Sequence, residues 1–533
     1  MFNKKVNIHI LPHDRLIKTR SGISLMEALI GKSIFLRSDC GGRGVCGKCI
    51  IKKKLKNGNY EIQNACSFEI SEDISIEIPE SSLQSSHIMS KASLSFPEIF
   101  NRRFKNQGSD NCYGIATDIG TTTIAIYLCN MTEGKVLSSI AIKNPQALYG
   151  DDVMSRIGAI GLEEKNLGHL QGLVIKAIEW GIKKLLKASN LDDSIISQMT
   201  AVGNPTMIHI LAGVNPESIG MSPYQPAFYE ARNIESEDLC FTIKNVSIQL
   251  LPQVSGFIGG DILGAAIAVD LENQPEGTLL VDLGTNGELM LKGEGKLYAT
   301  SCATGPAFEG ASLSCGMQAI AGAINKVVIK NQKDLPEYTL IGQLNPSRAK
   351  SLTPEPSGIC GTGVLSAVAQ FCKNGIIEPG GLFNKRDNIP ALQKDDTGKV
   401  QYILAPSDNE DNSNAVYISQ KDIRSVQLGK AALITGIEFL LKEAGLEKPE
   451  KIIIAGAFGS FLDKNDMITL GMIPALDQDK VIIAGNSAGA GAVMVLCDNT
   501  FLEKSIQMAD KITVVELAAN QDFQNMFIQQ LGF

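Results

Sequence analysis

The stretch Ile115-Ala116-Thr117-Asp118-Ile119-Gly120-Thr121-Thr122-Thr123-Ile124-Ala125-Ile126 has a second version, Leu279-Leu280-Val281-Asp282-Leu283-Gly284-Thr285-Asn286-Gly287-Glu288-Leu289-Met290. Each is an apolar strand carrying an Asp, a glycine-centred turn and a second apolar strand, the grammar of a β-hairpin. The two aspartates stand 164 positions apart, a domain-sized interval rather than the roughly 20–50 residues of a solenoid repeat. A duplicated α/β domain with a cleft between its halves follows. Turn glycines let backbone N–H groups approach phosphate oxygens without a blocking Cβ. The candidate nucleotide-binding set is therefore Gly120, Thr121, Thr122 and Thr123 in the first copy, and Gly284, Thr285, Asn286 and Gly287 in the second. Asp118 and Asp282 can hold Mg²⁺ through water. For one copy alone, a plain Asp-Gly hairpin is the rival reading; two copies with matching flanks favour a nucleotide site. No G-x-x-x-x-G-K-[ST] occurs, so a P-loop is excluded.

Later segments extend the same site. Ile452-Ile453-Ile454-Ala455-Gly456-Ala457-Phe458-Gly459 runs from an apolar strand into a turn where Gly456 and Gly459 would let an adenosine lie on bare backbone. Ser357-Gly358-Ile359-Cys360-Gly361-Thr362-Gly363 opens a helical stretch, and Gly361 and Gly363 could offer N–H groups to phosphate. For all of these glycines, close packing is the competing explanation. Gly305-Pro306-Ala307-Phe308-Glu309-Gly310 puts a carboxylate soon after the second hairpin, where Glu309 would orient water. Asp118, Asp282 and Glu309 are thus the candidate catalytic residues.

Composition sets the frame. The 533 residues carry 49 Lys and Arg against 57 Asp and Glu, a formal net charge of −8, with 44% apolar and 20% charged residues. That balance argues against a nucleic-acid binder and against long disorder. The start, MFNKKVNIHILPHD, has too short an apolar run for a signal peptide. Val481 to Cys497 is weakly polar but holds Asn486, Ser487 and three glycines, which suits a closely packed internal segment better than a membrane span. The expected location is cytoplasmic, with no membrane attachment. Twelve cysteines are then no disulfide framework.

Four of them need another reason to cluster. Cys40-x5-Cys46-x2-Cys49, followed by Cys66, puts three thiolates on the glycine-rich loop Asp39-Cys40-Gly41-Gly42-Arg43-Gly44-Val45-Cys46-Gly47-Lys48-Cys49 and a fourth on a distant segment. That pattern fits a [2Fe–2S] cluster, which needs four sulfurs, and the glycines let the loop wrap it. Zinc is the weaker reading, since only Cys46-x2-Cys49 is a close pair. Gly42-x-Gly44-x-x-Gly47 fails as a dinucleotide fingerprint because it is threaded through the ligands. The flanks read as a compact strand-and-helix unit: a strand at Val6–Leu11, a helix capped by Ser24, and strands near Cys49–Ile51 and Ile74–Ile78. The expected domains are 1–83 around the cluster, a linker at 84–111, and the two halves of the duplicated α/β core at 112–275 and 276–533. A docked arm is the alternative for the linker, since Leu94, Phe96, Ile99, Phe100 and Phe104 are apolar.

The cysteine loop is similar to the vertebrate-type [2Fe–2S] ferredoxin loop. With the early fourth ligand in Asn64-Ala65-Cys66, it resembles the ferredoxin-like domain of the reductive activators of corrinoid proteins. The hairpins resemble those of the acetate and sugar kinase, Hsc70 and actin superfamily. Asn144-Pro145-Gln146, Gly150-Asp151-Asp152-Val153-Met154-Ser155-Arg156, Gly203-Asn204-Pro205-Thr206-Met207, Gly259-Gly260-Asp261, Asp422-Ile423-Arg424-x-x-Gln427 and Gly485-Asn486-Ser487 look like strings of the corrinoid activators over the whole chain. The resemblance implies an α/β fold: an N-terminal β-grasp ferredoxin-like α+β domain, then a duplicated actin/Hsc70/sugar-kinase-like (RNase H-like) ATPase core. In one respect the chain departs, since only the short linker stands where family members carry an extra middle segment.

The resemblance further implies an ATP-dependent activator that returns Co(II) corrinoid to Co(I) for methyl transfer. Its partners would be a corrinoid protein of a methyltransferase system and a low-potential electron donor such as ferredoxin or flavodoxin, with a homodimer left open. For one electron, about 60 mV costs about 1.4 kcal/mol, so a gap of a few hundred millivolts stalls transfer without help. Nucleotide-driven closure would favour one complex with the corrinoid protein, whose binding alters cobalt ligation. Other classes are a small-molecule kinase with an appended cluster, a redox-sensing nucleotide-binding protein, and an activator of a radical dehydratase. His209 reads as a core histidine, Trp180 as a helix anchor, Arg102-Arg103 as a solvated face, and Cys302, Cys315, Cys360 and Cys372 as packing residues.

Overall fold

A computed structural model describes residues 4–12, 15–38, 42, 44, 47–83, 94–103, 112–310, 312–317, 319–342, 355–384, 389–406, 415–456, 462–517 and 520–533. By packing, the chain divides into two compact units, Met1–Ala92 with Phe104–Leu250, and Ser93–Arg103 with Leu251–Phe533.

The first unit opens with β1 (Lys5–Leu11), where alternate residues Val6, Ile8 and Ile10 are buried, as the period-two pattern predicts. It continues through β2 (Arg15–Arg20), α1 (Leu25–Ile30), β3 (Ile50–Lys54), β4 (Tyr60–Asn64) and β5 (Ile74–Glu77). The five strands form one sheet in the order β2-β1-β5-β3-β4, with β1 and β5 parallel. The Ser24 hydroxyl accepts from Glu27 N and starts α1, whose Leu25, Met26, Ala28, Leu29 and Ile30 are all buried.

The same unit then builds β6 (Tyr113–Ile119), β7 (Thr123–Asn130), β8 (Lys135–Lys143), α3 (Val153–Leu162), α4 (Lys165–Ala188), β9 (Ile196–Gly203), α5 (Pro205–Leu211), β10 (Arg232–Glu235) and β11 (Ser247–Leu250). They make a six-stranded sheet in the order β10-β11-β9-β6-β7-β8. The N-terminal sheet and this one share a single apolar core. Trp180, on α4, lies 5.3 Å from Phe35 between ring centroids, so it anchors its helix to the cysteine-bearing region.

The second unit takes α2 (Glu98–Arg103), α6 (Gly260–Ala268), β12 (Thr278–Leu283), β13 (Gly287–Gly293) and β14 (Lys296–Cys302). Two small sheets follow, β15 (Ala323–Val328) with β16 (Glu337–Leu340) and β17 (Gly358–Ile359), and β18 (Leu392–Lys394) with β19 (Val400–Ala405) and β20 (Val416–Ser419). Helices α7 (Gly361–Lys373) and α8 (Gln420–Glu443) precede β21 (Lys451–Ala455), α9 (Lys464–Thr469), β22 (Val481–Gly485), α10 (Ser487–Cys497), α11 (Thr500–Ala509), β23 (Ile512–Val514) and α12 (Gln521–Gln529). The main sheet runs β22-β21-β12-β13-β14-β23. Its antiparallel meander β12-β13-β14 with parallel β21 beside β12 repeats β6-β7-β8 with parallel β9 beside β6.

The weakly polar stretch 481–497 is β22 and α10. A Cβ on Gly491 would overlap the Gly264 carbonyl, so α10 and α6 pack backbone to backbone. Among the described residues no helix is long and apolar enough to cross a membrane.

Residues 94–103, expected as linker, pack as an arm. Phe100 is 1% exposed, with its ring 4.9 Å from Phe96 and 5.9 Å from Phe501. Arg102 and Arg103 are exposed, as expected of a solvated face, and Arg103 in addition bonds Asp498, donates to Thr500 Oγ1 at 2.6 Å and stacks on Phe501. The physical reason for the docked arm is the pair Phe96 and Phe100, four residues apart and stacked: burying one Phe stabilises by about 1.5–3 kcal/mol, more than a short solvated tether retains.

Candidate functional site

The first hairpin is held by residues far along the chain. Ile119 pairs with Ile124 across the turn, and a Cβ on Gly120 would sit 2.6 Å from Thr123 O, so the tight turn requires glycine. Asn144 Nδ2 donates to Gly120 O at 3.0 Å and Asn144 N to Thr122 O at 2.8 Å. Arg156, fully buried, donates to Thr121 O (2.6 Å), Gln146 Oε1 (3.1 Å) and Gly150 O (3.0 Å). Asn204 Nδ2 donates to Thr121 Oγ1 at 3.0 Å. Three of the strings quoted above thus converge on one turn, fixing Gly120, Thr121 and Thr122 through their carbonyls. Thr121 and Thr122 are buried, whereas Asp118, Gly120 and Thr123 are half-buried.

In the second hairpin Leu283 pairs with Gly287, and Gly284 N donates to Asn286 O at 2.9 Å. Thr304 Oγ1 donates to Gly284 O at 3.1 Å, and Gly305 N to Thr285 O at 2.9 Å. Thr285 Oγ1 donates to Glu309 Oε2 at 2.9 Å, so Glu309 does reach the hairpin. A Cβ on Gly361 would overlap the Phe308 carbonyl, and one on Gly456 would overlap the Leu283 carbonyl. Gly456 therefore borders this hairpin and Gly361 the Phe308–Glu309 turn beside it, and both answer to close packing. Gly363 lies instead against Ile324 O. Gly459 lies outside the described residues.

The turns differ by one residue, which equal spacing in the sequence conceals. Asp118 faces Ala125, but Asp282 faces Glu288 directly across the strands. Glu288 and Asp261 were not assigned a role from sequence; Glu288 is buried and Asp261 half-buried, and Glu288 lies within reach of the charges of Asp261, Asp282 and Glu309. Burial pushes the Asp261 carboxyl up to about 6. Burial first, then the charges of Asp261, Asp282 and Glu309, holds the Glu288 carboxyl well above the ordinary range. Like charges opposite one another in a sheet are destabilising. The missed signal was a Glu one place after the turn glycine, legible only with the register known.

The thiolate region is partly described. Cys40 and Cys46 lie outside the described residues. Cys49 and Cys66 are buried, with Sγ atoms 3.4 Å apart. That is too long for a disulfide, at about 2.05 Å. It approaches the roughly 3.8 Å expected for two thiolates on one tetrahedral metal with bonds of about 2.3 Å. Gly42, Gly44 and Gly47 have φ of +93°, +73° and +59°, the left-handed region where a side chain is strained. The donor set and backbone suit a cluster cradle.

His209 is a satisfied core histidine: Nδ1 donates to Pro205 O at 2.7 Å and Nε2 accepts from Ala227 N at 2.9 Å. Burial lowers its pKa to about 4 and pushes the Cys315 and Cys372 thiols up to about 11, which keeps them inert.

These features define a mixed α/β protein whose C-terminal part is of the sugar-kinase and actin type. Residues 276–533 match the family model described as the C-terminal domain of RACo, the ASKHA domain, and residues 113–274 match the RACo middle region. The corrinoid activation enzyme RamQ of Eubacterium limosum is 31% identical over 437 residues, covering 80% of this chain and 71% of that protein. The [Co(II) methylated amine-specific corrinoid protein] reductase of Methanosarcina barkeri is 26% identical over 79% of this chain and 77% of its own length. A solved reductive activator for corrinoid, iron-sulfur protein superposes with a TM-score of 0.72 at 27% identity, covering 99% of this chain and 98% of that one. The chain belongs to the RACo family of corrinoid activators. The family's middle region falls on residues 113–274, those read above as the first half of the core.

Proposed function

We propose that this chain is an ATP-dependent reductive activator of a corrinoid protein, adding one electron to a Co(II) corrinoid substrate to give Co(I). The observation that carries it is membership of the RACo family across both 113–274 and 276–533. ATP binding at the hairpins is supported by the repeated sheet order and by the Asp-x-Gly-Thr turn that each copy carries. Gly120, Thr121, Thr122 and Thr123, with Gly284, Thr285, Asn286 and Gly287, would face phosphate, and Gly361 and Gly456 would border the nucleotide. Glu309, held by Thr285, would orient water. Asp282 opposite the buried Glu288 supports a Mg²⁺ site, since a divalent cation relieves repulsion among carboxylates. Asp118 would take the equivalent place in the first copy.

Cys40, Cys46, Cys49 and Cys66 would hold the [2Fe–2S] cluster, which supplies one-electron chemistry at low potential when bound. The sheet order β2-β1-β5-β3-β4 with α1 supports a β-grasp reading of residues 1–83. Cys49 and Cys66 are buried, and the wrapping glycines would let backbone N–H groups approach the sulfurs. A low-potential donor such as ferredoxin or flavodoxin would supply the electron.

The test mixes Co(II) corrinoid protein, a low-potential reductant and this protein, with and without MgATP, and follows Co(I) by its visible spectrum. Co(I) should accumulate only with nucleotide. Equal rates without ATP would refute the energy coupling.

A further inference from the structure

The turn between β8 and α3 touches both sites in the first unit. At one end Asn144 and Gln146, through Arg156, bond the carbonyls of Gly120, Thr121 and Thr122. At the other, Leu148 packs on the cysteine loop: a Cβ on Gly42 would overlap Leu148 Cδ2 and stand 3.8 Å from Cys66 Cβ. The next residue, Tyr149, donates to Glu27 Oε1 on α1 at 3.3 Å, and its hydroxyl lies 3.1 Å from His169 Nδ1. Four positions therefore separate a residue bonded to the phosphate hairpin from one seated on the cluster loop. Beside this contact lies a cavity of about 30 Å³, lined by Met26, Phe35 and Ile142 as well as Ala147 and Leu148. Close-packed interiors transmit displacement, and an apolar space next to a packed leucine gives it somewhere to move.

We propose that Leu148 is a positioning residue through which occupancy of the first hairpin and the redox state of the thiolate site bias one another. The inference rests on the functional reading above, in which both sites are filled. Reduction adds one electron, and so one negative charge, to the site beneath Gly42. Phosphate at Gly120–Thr123 tightens the turn that carries Asn144. A shift at either end reaches the other through the 144–149 turn. Coupling of this kind is reciprocal: the factor by which reduction changes nucleotide affinity is the factor by which nucleotide changes the reduction equilibrium.

The experiment uses the full chain, reconstituted with iron and sulfide. Binding of Mg-ADP is measured to the oxidised protein and to protein reduced by dithionite, alongside a redox titration with and without Mg-ADP. The expected affinity ratio is at least about fivefold, which is about 40 mV for one electron at 59 mV per tenfold. Leu148→Ala should bring the ratio towards one while iron content and oxidised-state nucleotide binding persist; Leu148→Met should keep it. If Leu148→Ala does not accumulate, Leu148→Val should give an intermediate ratio. A ratio of one in wild-type protein that holds both ligands overturns the inference and leaves the functional reading standing, as does an unchanged ratio in Leu148→Ala. Failure to take up iron or to bind nucleotide overturns the functional reading, and the inference falls with it.

Discussion

Glu288 and Asp261 are carboxyls whose burial resists ionisation, and the direction of that resistance makes a prediction. A native carboxyl pKa raised above its unfolded value stabilises the native state fully below the unfolded pKa, and that stability is lost as pH rises through the native pKa. For Asp261 the window runs from about 4 to about 6. The difference in melting temperature between Asp261→Asn and wild type, measured in EDTA, should therefore grow in favour of the variant from pH 4 to pH 7. Glu288→Gln should stabilise the metal-free protein at pH 7 by on the order of 1 kcal/mol and weaken Mg-nucleotide binding at least tenfold, read by calorimetry. His209 has the opposite sign: its lowered pKa supports the fold above about 6.5, and that contribution is lost as pH falls to about 4. At this scale the sequence was legible for residue types and not for pairing. Thr285, Glu309, Cys49 and Cys66 were all named, and the structure brings each to a partner. Glu288 escaped because the shorter second turn rotates the pairing by one residue, which no spacing rule reveals.

At the scale of elements, small residues and aromatic side chains decide which pieces meet. Gly491 lets α10 rest on α6 at backbone distance, so Gly491→Ala should push the helices apart. It should lower stability by roughly 1–3 kcal/mol, the range for overpacking, as measured by urea denaturation. Phe100→Ala should cost roughly 3–5 kcal/mol of second-unit stability. In a thermal scan the effect should appear as a shift of one transition only. The strands of the paired hairpins, the capped α1 and the stretch 481–497 were readable because period, cap and small-residue content are local signals. The arm at 94–103 read as a linker, with a docked segment only as the alternative, since its partner at Asp498–Phe501 lies in another part of the chain. Trp180 was legible as an anchor, but its contact with Phe35 required the tertiary fold.

Over the whole molecule, the thiolate site and the hairpins draw on different residues and should be separable by mutation. Cys66→Ser should abolish the visible absorption of the reconstituted protein while Mg-ADP binding stays within about threefold of wild type, a loss small beside one full contact. Gly120→Ala should do the reverse, keeping the colour and weakening nucleotide at least tenfold, because its Cβ would meet Thr123 O at 2.6 Å. Family membership was legible in full because its strings surround the first turn: Asn144, Gln146, Arg156 and Asn204 are the hydrogen-bonding shell of Gly120 to Thr122. What stayed hidden was the division into units, which follows contacts between residues hundreds of positions apart.

The arm also has a history on the ribosome. Arg103 and its partner Asp498 are 395 residues apart in the chain, and at about 5–20 residues per second translation needs roughly 20–80 s to bridge them. Through that interval Phe96 and Phe100 emerge with no binding surface yet synthesised. The nascent chain would therefore carry an aromatic segment that holdase chaperones can grip, with release timed by the appearance of the stretch from Asp498 onward, the last 36 residues of the polypeptide.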